Sequence, residues 1–292
     1  MSYPIERAMI AFMSGGLLSL SGSLMQLTFS QELATPSTLG LEALAVFVVL
    51  LAHTLTYFLG GAEWVSFLSL GLGLFFSFSF LYSPLGKRIG RFKTKSSLLI
   101  LGLTVNLFVG AVFSIWQFLF LSFNWDFPSE LWFGHFRYID SKTIYPFMIL
   151  SISLCTILWR KASKFSLYSL GPEVLRHLQM DSWSISRSMI ALSMTATLVV
   201  VTQFGVFSFM GLIFPILARR LCGRSWTMRR EFVTSFFLSA PMMLVLDFLV
   251  YEFPIWGAEI PVGMMSLFVG TLMLIILVGK DLWNSTNESW QR

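Results

Sequence analysis

The stretch SLLILGLTVNLFVGAVFSIWQFLFLS, residues 97–122, decides the fold class. It contains no Asp, Glu, Lys or Arg, and it is longer than the roughly 20 apolar residues that a helix needs to cross a bilayer. The rest of the chain has the same character, since 55% of its 292 residues are hydrophobic and 12% are charged, against about 25% charged in a soluble domain. The sequence therefore predicts an all-α polytopic transmembrane helix bundle, with residues 1–292 forming a single domain.

Hydropathy divides the chain into nine predicted membrane spans, of which 64–82 and 97–122 are the clearest. The segment 207–222 is short for a span and contains Pro215. The nine predicted spans are 8–29, 41–60, 64–82, 97–122, 143–159, 184–205, 207–222, 231–251 and 262–279.

The distribution of basic residues predicts the orientation of the spans. All Lys and Arg residues except Arg7, Arg137 and Lys142 lie in segments 83–97, 160–187 and 219–230 or in the C-terminal tail. Because cytoplasmic loops carry the excess of Lys and Arg, nine alternating spans place the N-terminus outside and the C-terminus in the cytoplasm. The formal net charge of +5 therefore indicates membrane topology and lipid contact, and no nucleic-acid partner is expected.

No motif for catalysis, for a cofactor or for a metal is present in the sequence. The Gly-Lys pairs at Gly86 and Gly279 lack the other residues of a P-loop, so the chain is not expected to hydrolyse ATP. The three histidines are scattered, and Cys155 and Cys222 have neither metal nor disulfide spacing. A polytopic membrane enzyme is the more distant alternative, because it would need acids or histidines that converge at one membrane face.

Polar residues inside spans are costly in a bilayer and are therefore candidates for function. Gln26 lies toward the inner end of its span and Gln203 toward the outer end of its own, so both are candidates to line one translocation path. Hydrogen bonding between helices is the alternative explanation. Asn106 and Asp247 are the other two such residues, and snorkelling or helix capping would explain Asp247.

The longest cytoplasmic loop contains a segment, about 165–183, with an apolar side in charged surroundings. Gly171 and Pro172 predict a helix start, and Glu173 in the first turn suits the positive end of the helix dipole. Leu175 and Leu178 are expected to form an apolar contact. An exposed apolar helix needs a partner; the alternative is that the segment packs under the bundle.

Four ordered blocks of sequence match the pattern of a known family. The first is GGLLSLSGSLMQLTFSQELATPSTLGLEALA at 15–45, in which Gly22, Gln26, Leu33, Ala34, Pro36, Leu39 and Gly40 match. The others are SLGPEVLRHLQMD at 169–181, FSFMGLIFPILARRLCG at 207–223 and AEIPVGMMSLFVGT at 258–271. Together they resemble the FecCD family of ABC importer permeases for iron siderophores, haem and cobalamin.

The resemblance implies a bacterial inner-membrane importer subunit that moves an iron siderophore or similar metal chelate by ATP-driven alternating access. Its implied partners are two cytoplasmic ATPase subunits, a second permease, identical or paralogous, and an extracytoplasmic substrate-binding protein. The segment 165–183, through Leu175 and Leu178, would couple the ATPases to the bundle. Arg7 occupies a position where the family docks its binding protein, and it would contact that protein.

Three departures from the family's pattern qualify this expectation. The family usually has ten spans, and the sequence begins where the second would start. Ile216 replaces a family histidine, and Tyr251 stands where an arginine is expected, so the basic outer face is thinned. A zinc or manganese permease of the related ABC class, which is similarly short, is the nearer alternative.

Overall fold

The computed structural model describes residues 4–38, 40, 42, 45–49, 51, 95–122, 133–136, 141–254 and 259–290. Within these ranges the regular secondary structure is entirely helical, which confirms the all-α class there. The helices are α1 Ile5–Phe29, α2 Lys95–Ser122, α3 Ser141–Tyr168, α4 Pro172–His177, α5 Ser182–Phe204, α6 Met210–Cys222, α7 Met228–Glu252 and α8 Val262–Trp290. A 3-10 turn, Gly223–Ser225, joins α6 to α7.

Four of these helices, α1, α3, α5 and α7, are long and apolar enough to cross a membrane. Helices α2 and α8 contain the shorter apolar stretches Asn106–Trp116 and Val262–Leu277. The predicted span 64–82 and nearly all of the predicted span 41–60 lie outside the described residues. The count of nine spans and the sidedness of the termini therefore stay predictions.

The predicted span 207–222 is corrected by the structure. Residues 205–209 are not helical, and Gly205 and Phe209 have φ of 84° and 66°, so α6 begins only at Met210. Its 13 residues measure about 20 Å at 1.5 Å each, which is shorter than the hydrocarbon core of about 30 Å. This part of the chain is a short helix, about two-thirds of the core thickness in length, preceded by irregular backbone.

Helix α1 occupies the centre of the bundle because its small residues let neighbouring helices approach closely. A Cβ added at Gly22 would overlap the carbonyl group of Gly211 in α6. Ser239 of α7 donates a hydrogen bond to the carbonyl oxygen of Gly15 at 2.7 Å. As a consequence, 78% of the residues in the apolar part of α1 are buried inside this chain.

The two ends of α1 mark the two ends of the bundle. Arg7 contacts the end of α7, whereas Gln26 contacts α6. These two residues are separated by about 28 Å along the helix axis, close to the thickness of the hydrocarbon core. We call the two sides the Arg7 end and the Gln26 end. The arginine-rich stretch 219–230 joins α6 to α7 at the Gln26 end.

Irregular backbone at the Arg7 end is held by hydrogen bonds between segments remote in sequence. The amide of Gly134 donates to the carbonyl of Val206 at 2.9 Å, and the amide of Gly263 donates to the carbonyl of Gly134 at 2.8 Å. The rings of Phe136 and Phe207 stack with centroids 4.9 Å apart. Backbone groups within a membrane protein need such internal partners because the bilayer core supplies none.

Candidate functional site

A buried ion pair joins the start of α1 to the end of α7. Nε of Arg7 donates to Oδ2 of Asp247 at 2.9 Å, and Nη2 donates to Oδ1 at 2.8 Å. Asp247 is fully buried and Arg7 is 5% exposed. This bidentate arrangement satisfies the guanidinium and the carboxylate together. The expectation that Asp247 snorkels or caps a helix is thus corrected: it is the buried partner of Arg7.

Two further groups enclose the guanidinium of Arg7. Its Nη1 donates to Oε2 of Glu259 at 3.1 Å, and its Cζ lies 5.0 Å from the centroid of the Tyr251 ring, within cation–π range. Arg7 therefore contacts two carboxylates and one aromatic ring of its own chain. The docking of a binding protein on Arg7 stays a prediction. In the structure, groups of the same chain already enclose the Arg7 guanidinium.

A second polar cluster lies at the Gln26 end. Gln26 is 1% exposed, its Nε2 donates to the carbonyl of Leu212 at 2.9 Å, and its Oε1 accepts from Arg219. Nε of Arg219 lies 3.9 Å from Oε1 of Glu231, and Nε1 of Trp226 donates to Oε2 of Glu231 at 2.6 Å. The cluster connects α1 to the short helix α6 and to the first turn of α7.

The two glutamines that are predicted to line different depths of one path lie toward opposite ends of the bundle. Gln203 is half-buried in the last turn of α5, toward the Arg7 end, whereas Gln26 is sealed at the other end. For Gln26 the hydrogen bonds between helices account for its position. A path-lining role for Gln203 stays a prediction.

A cavity of about 220 Å³ lies toward the Arg7 end of the bundle. Its polar lining comes from Ser37, Glu42, Asn106 and Ser208, and its apolar lining includes Val206. Glu42 is 8% exposed, and an acid at such a position in a membrane protein is a candidate for function. We call this space the Glu42 cavity.

The sequence contained part of the signal for the Glu42 cavity. Asn106 is recognisable as a polar residue inside a predicted span. Glu42 has the same property, because it stands at the second position of the predicted span 41–60, and it was missed there. Ser208 carries no signal in the sequence, since serine is common in membrane helices and at their interfaces.

Non-helical chain after α1 contributes to the wall of the Glu42 cavity. The amide of Thr35 donates to Oγ1 of Thr38 at 2.8 Å, and the amide of Thr38 donates to Oγ1 of Thr35 at 3.1 Å. Ala34 packs in a buried cluster with Met194 of α5. Irregular backbone at membrane depth is tolerated where it is buried in protein or lines a cavity, and Ser37 in this segment does line one.

Helix α4 begins where the sequence predicts. Gly171 has φ 96°, in the region that favours glycine, Pro172 is the first helical residue and Glu173 lies in the first turn. Leu175, however, is fully buried. It belongs to a core cluster formed with Leu158, Phe165, Met189, Met228 and Phe232, among others. The expectation that Leu175 inserts into a partner is therefore corrected, because its contacts are within its own chain.

Other apolar side chains of the same segment remain on the surface. Leu170 is 58% exposed, Val174 38% and Leu178 49%. Leu178 is the C-cap of α4, and its amide donates to the carbonyl of Val174 at 3.1 Å, so Leu178 shares the exposed side of the helix with Val174 and does not face the core with Leu175. We call Leu170, Val174 and Leu178 the α4 patch.

The structure thus combines helices long and apolar enough to cross a membrane with a cavity that has a polar lining. The chain belongs to the FecCD transport family, whose model matches residues 1–280. Members of this family are permease subunits of ABC importers, in which ATP hydrolysis belongs to separate subunits and a substrate-binding protein takes part.

Named relatives cover nearly the whole chain. The vitamin B12 import system permease protein BtuC of Yersinia enterocolitica is 27% identical over 287 residues, which are 94% of this chain and 80% of the relative. The protein of the same name from Salmonella paratyphi A is 26% identical over 279 residues, covering 95% and 82% of the two chains.

Solved structures share the fold. A metal-chelate type ABC transporter in an inward-facing conformation matches with a TM-score of 0.77 at 22% identity, covering 94% of this chain and 85% of the other. PsaBC from Streptococcus pneumoniae, solved with a Fab, matches with a TM-score of 0.57 at 15% identity, covering 93% and 90%. At these identities the likeness concerns the fold.

Proposed function

We propose that the chain is the membrane-spanning subunit of an importer that carries a metal chelate or a cobalt corrinoid across the bacterial inner membrane. Family membership supports the importer, and the naming of relatives as vitamin B12 permeases supports a bulky metal–organic cargo. An iron siderophore belongs to the same chemical class and is retained as the alternative cargo within it.

The Gln26 end is assigned to the cytoplasm in this proposal, and the Arg7 end to the outside. The support is the arginine-rich stretch 219–230, since positive charge marks the cytoplasmic side. A cysteine introduced at Ser225, which is exposed, should react with a membrane-impermeant thiol reagent only in inside-out vesicles. Labelling in intact cells that lack an outer barrier would reverse the orientation.

The Glu42 cavity is the proposed part of the translocation path, together with Gln203. Val206 lines the cavity, and Gln203 lies three residues before it in the chain. A wall made of Ser37, Asn106 and Ser208 offers hydrogen bonds to a polar cargo without holding it through many strong contacts. A carrier needs such a wall because a tightly bound cargo would not leave.

The observation that carries the proposal is the geometry of α4. Leu175 anchors this short helix in the bundle, and the α4 patch stays uncovered at the proposed cytoplasmic end. An apolar surface of this kind in water is typical of a contact site for another protein. We assign it to the ATPase subunit, which must pass its motion to the permease.

Contacts within the chain supply a route for that motion. Leu175 packs in one cluster with Met228 and Phe232 at the start of α7. Glu231, on the same turn, faces Arg219 of α6, which donates to Gln26 of α1. A displacement of α4 would therefore reach the two helices that meet at Gln26, as alternating access requires of a two-state bundle.

The proposal is tested by co-expressing the chain with candidate ATPase and binding-protein subunits from the same genome. The complex is reconstituted in proteoliposomes, and ATP hydrolysis is measured with the binding protein empty, loaded with cobalamin or loaded with a ferric hydroxamate. Stimulation by one loaded form supports the proposal. A binding protein that binds only an amino acid, a sugar or a bare metal ion would contradict the cargo class.

A further inference from the structure

A second cavity, of about 320 Å³, lies between the C-terminal part of α3 and the start of α5. Lys161 and Lys164 line it from adjacent turns of α3, and Ser184 and Ser188 line it from α5. The ring of Phe165 contributes apolar wall. The transport pathway proposed above does not use this space, which we call the lysine pocket.

The charge balance of the lysine pocket favours an anion. Asp181 is the one acid among its lining residues. The carboxylate of Asp181 accepts hydrogen bonds from the amides of Trp183 at 3.0 Å and Ser184 at 3.2 Å, as the N-cap of α5. Its negative charge is thus turned toward the helix backbone, while both lysine side chains are exposed and free to reach a ligand in the pocket.

The depth of the lysine pocket matches that of lipid headgroups. Trp159 is 47% exposed, and the guanidinium of Arg229 lies 5.8 Å from the centroid of its ring; tryptophan is enriched where membrane meets water. Lys161 and Lys164 follow Trp159 by about 3 and 7.5 Å along the helix axis. The headgroup layer on each side of a bilayer is about 5–7 Å thick, so a layer that begins at Trp159 contains Lys161 and ends near Lys164.

We propose that the lysine pocket binds the phosphate-bearing headgroup of an anionic phospholipid. Lys161 and Lys164 would pair with the phosphate, and the hydroxyl of Ser184 would donate to its oxygens. Basic pockets between membrane helices have this preference for anionic headgroups. The assignment to the cytoplasmic leaflet rests on the orientation proposed above, whereas lipid binding itself does not depend on it.

Native mass spectrometry of the detergent-purified chain, titrated with phosphatidylglycerol or phosphatidylcholine, tests the proposal. The wild-type chain is expected to retain phosphatidylglycerol in preference to phosphatidylcholine. Since each lysine near an anionic surface contributes about fivefold in binding, Lys161→Gln/Lys164→Gln should weaken phosphatidylglycerol binding about 30-fold. Lys161→Arg/Lys164→Arg keeps both charges and should restore it.

The matched control is Arg160→Gln/Arg224→Gln, which removes the same charge from exposed positions outside the pocket lining. Its phosphatidylglycerol affinity should stay close to that of the wild type. Equal losses in the two double variants, or equal retention of the two lipids by the wild type, would overturn the proposal. Displacement of the lipid by an equimolar amount of inorganic phosphate would also overturn it, because the pocket would then recognise phosphate rather than a lipid.

Discussion

Arg7 and Asp247 are held together by hydrogen bonds of 2.9 and 2.8 Å although 240 positions separate them in the sequence. The pair fixes the beginning of the central helix α1 to the end of α7 at the Arg7 end of the bundle. An exposed ion pair contributes about 0.2–1 kcal/mol, but removal of one partner from a buried pair costs about 3–5 kcal/mol. We therefore expect this contact to act on stability.

Asp247→Asn is predicted to lower the stability of the purified chain by about 3–5 kcal/mol, because the guanidinium of Arg7 then lacks its main counter-charge. The double variant Arg7→Met/Asp247→Leu should lose less stability than the sum of the losses in the single variants Arg7→Met and Asp247→Leu. Chemical denaturation in detergent measures both effects. Additive losses of stability would contradict the pairing. Unchanged stability, together with a salt-dependent loss of the ATPase stimulation by the binding protein, would instead support a docking role for Arg7.

The variants Leu175→Ala and Leu178→Ala are predicted to have different effects on stability and on binding of the ATPase, although the two leucines are only three residues apart. Truncation of the buried Leu175 removes core contacts and should cost about 2–5 kcal/mol of stability. Leu178 is 49% exposed, so its truncation should leave the stability nearly unchanged and weaken association with the ATPase. Thermal unfolding and co-purification separate the two effects. The same stability loss in both variants would show that the whole segment merely packs under the bundle.

Gly22→Ala is predicted to disrupt the contact between α1 and α6, because the added Cβ meets the backbone of Gly211 and cannot move a side chain aside. Overpacking of this kind costs about 1–3 kcal/mol or more. Gly110→Ala in α2 is the matched control, since no atom of the described residues comes within 4 Å of its added Cβ. Comparable thermal midpoints for the two variants would contradict the close approach of α1 and α6.

Hydropathy predicted the long helices because a membrane span needs only length and apolar composition, as the agreement of 8–29 with α1 illustrates. It could not predict α6, since the left-handed turn at Phe209 depends on tertiary contacts rather than on composition. Nor could it pair Arg7 with Asp247, because nothing in either neighbourhood identifies a partner 240 positions away.

For the segment around α4, the sequence predicts the start of the helix correctly but not the different surroundings of Leu175 and Leu178. The spacing of Leu175 and Leu178 predicts one shared helical face, and Gly171 and Pro172 correctly predict the helix start. Leu178 is still hydrogen-bonded to the last turn of α4 through Val174, yet it is 49% exposed whereas Leu175 is fully buried. The core cluster around Leu175 therefore covers only one side of α4, and periodicity alone does not show which of two leucines three positions apart lies on that side.

Ser208→Cys, in a background without Cys155 and Cys222, is predicted to react with a water-soluble thiol reagent at rates that depend on the nucleotide state of the complex. The reason is that Ser208 lines the Glu42 cavity, and alternating access opens a path to one side at a time. Ser193→Cys is the control, because Ser193 is fully buried and donates to the carbonyl of Ser21. A Ser208→Cys variant that stays unreactive in every state would exclude the cavity from the path.

The most direct test of the account is ATP-driven uptake by the reconstituted complex carrying Val174→Ser/Leu178→Ser. The matched control is Leu221→Ser, which changes a leucine that is 68% exposed at the same end of the bundle. We predict that the wild type and the control take up loaded cargo with ATP, whereas the α4 variant folds, inserts and fails to retain its ATPase. An α4 variant that keeps its ATPase and transports at the wild-type rate would contradict the account.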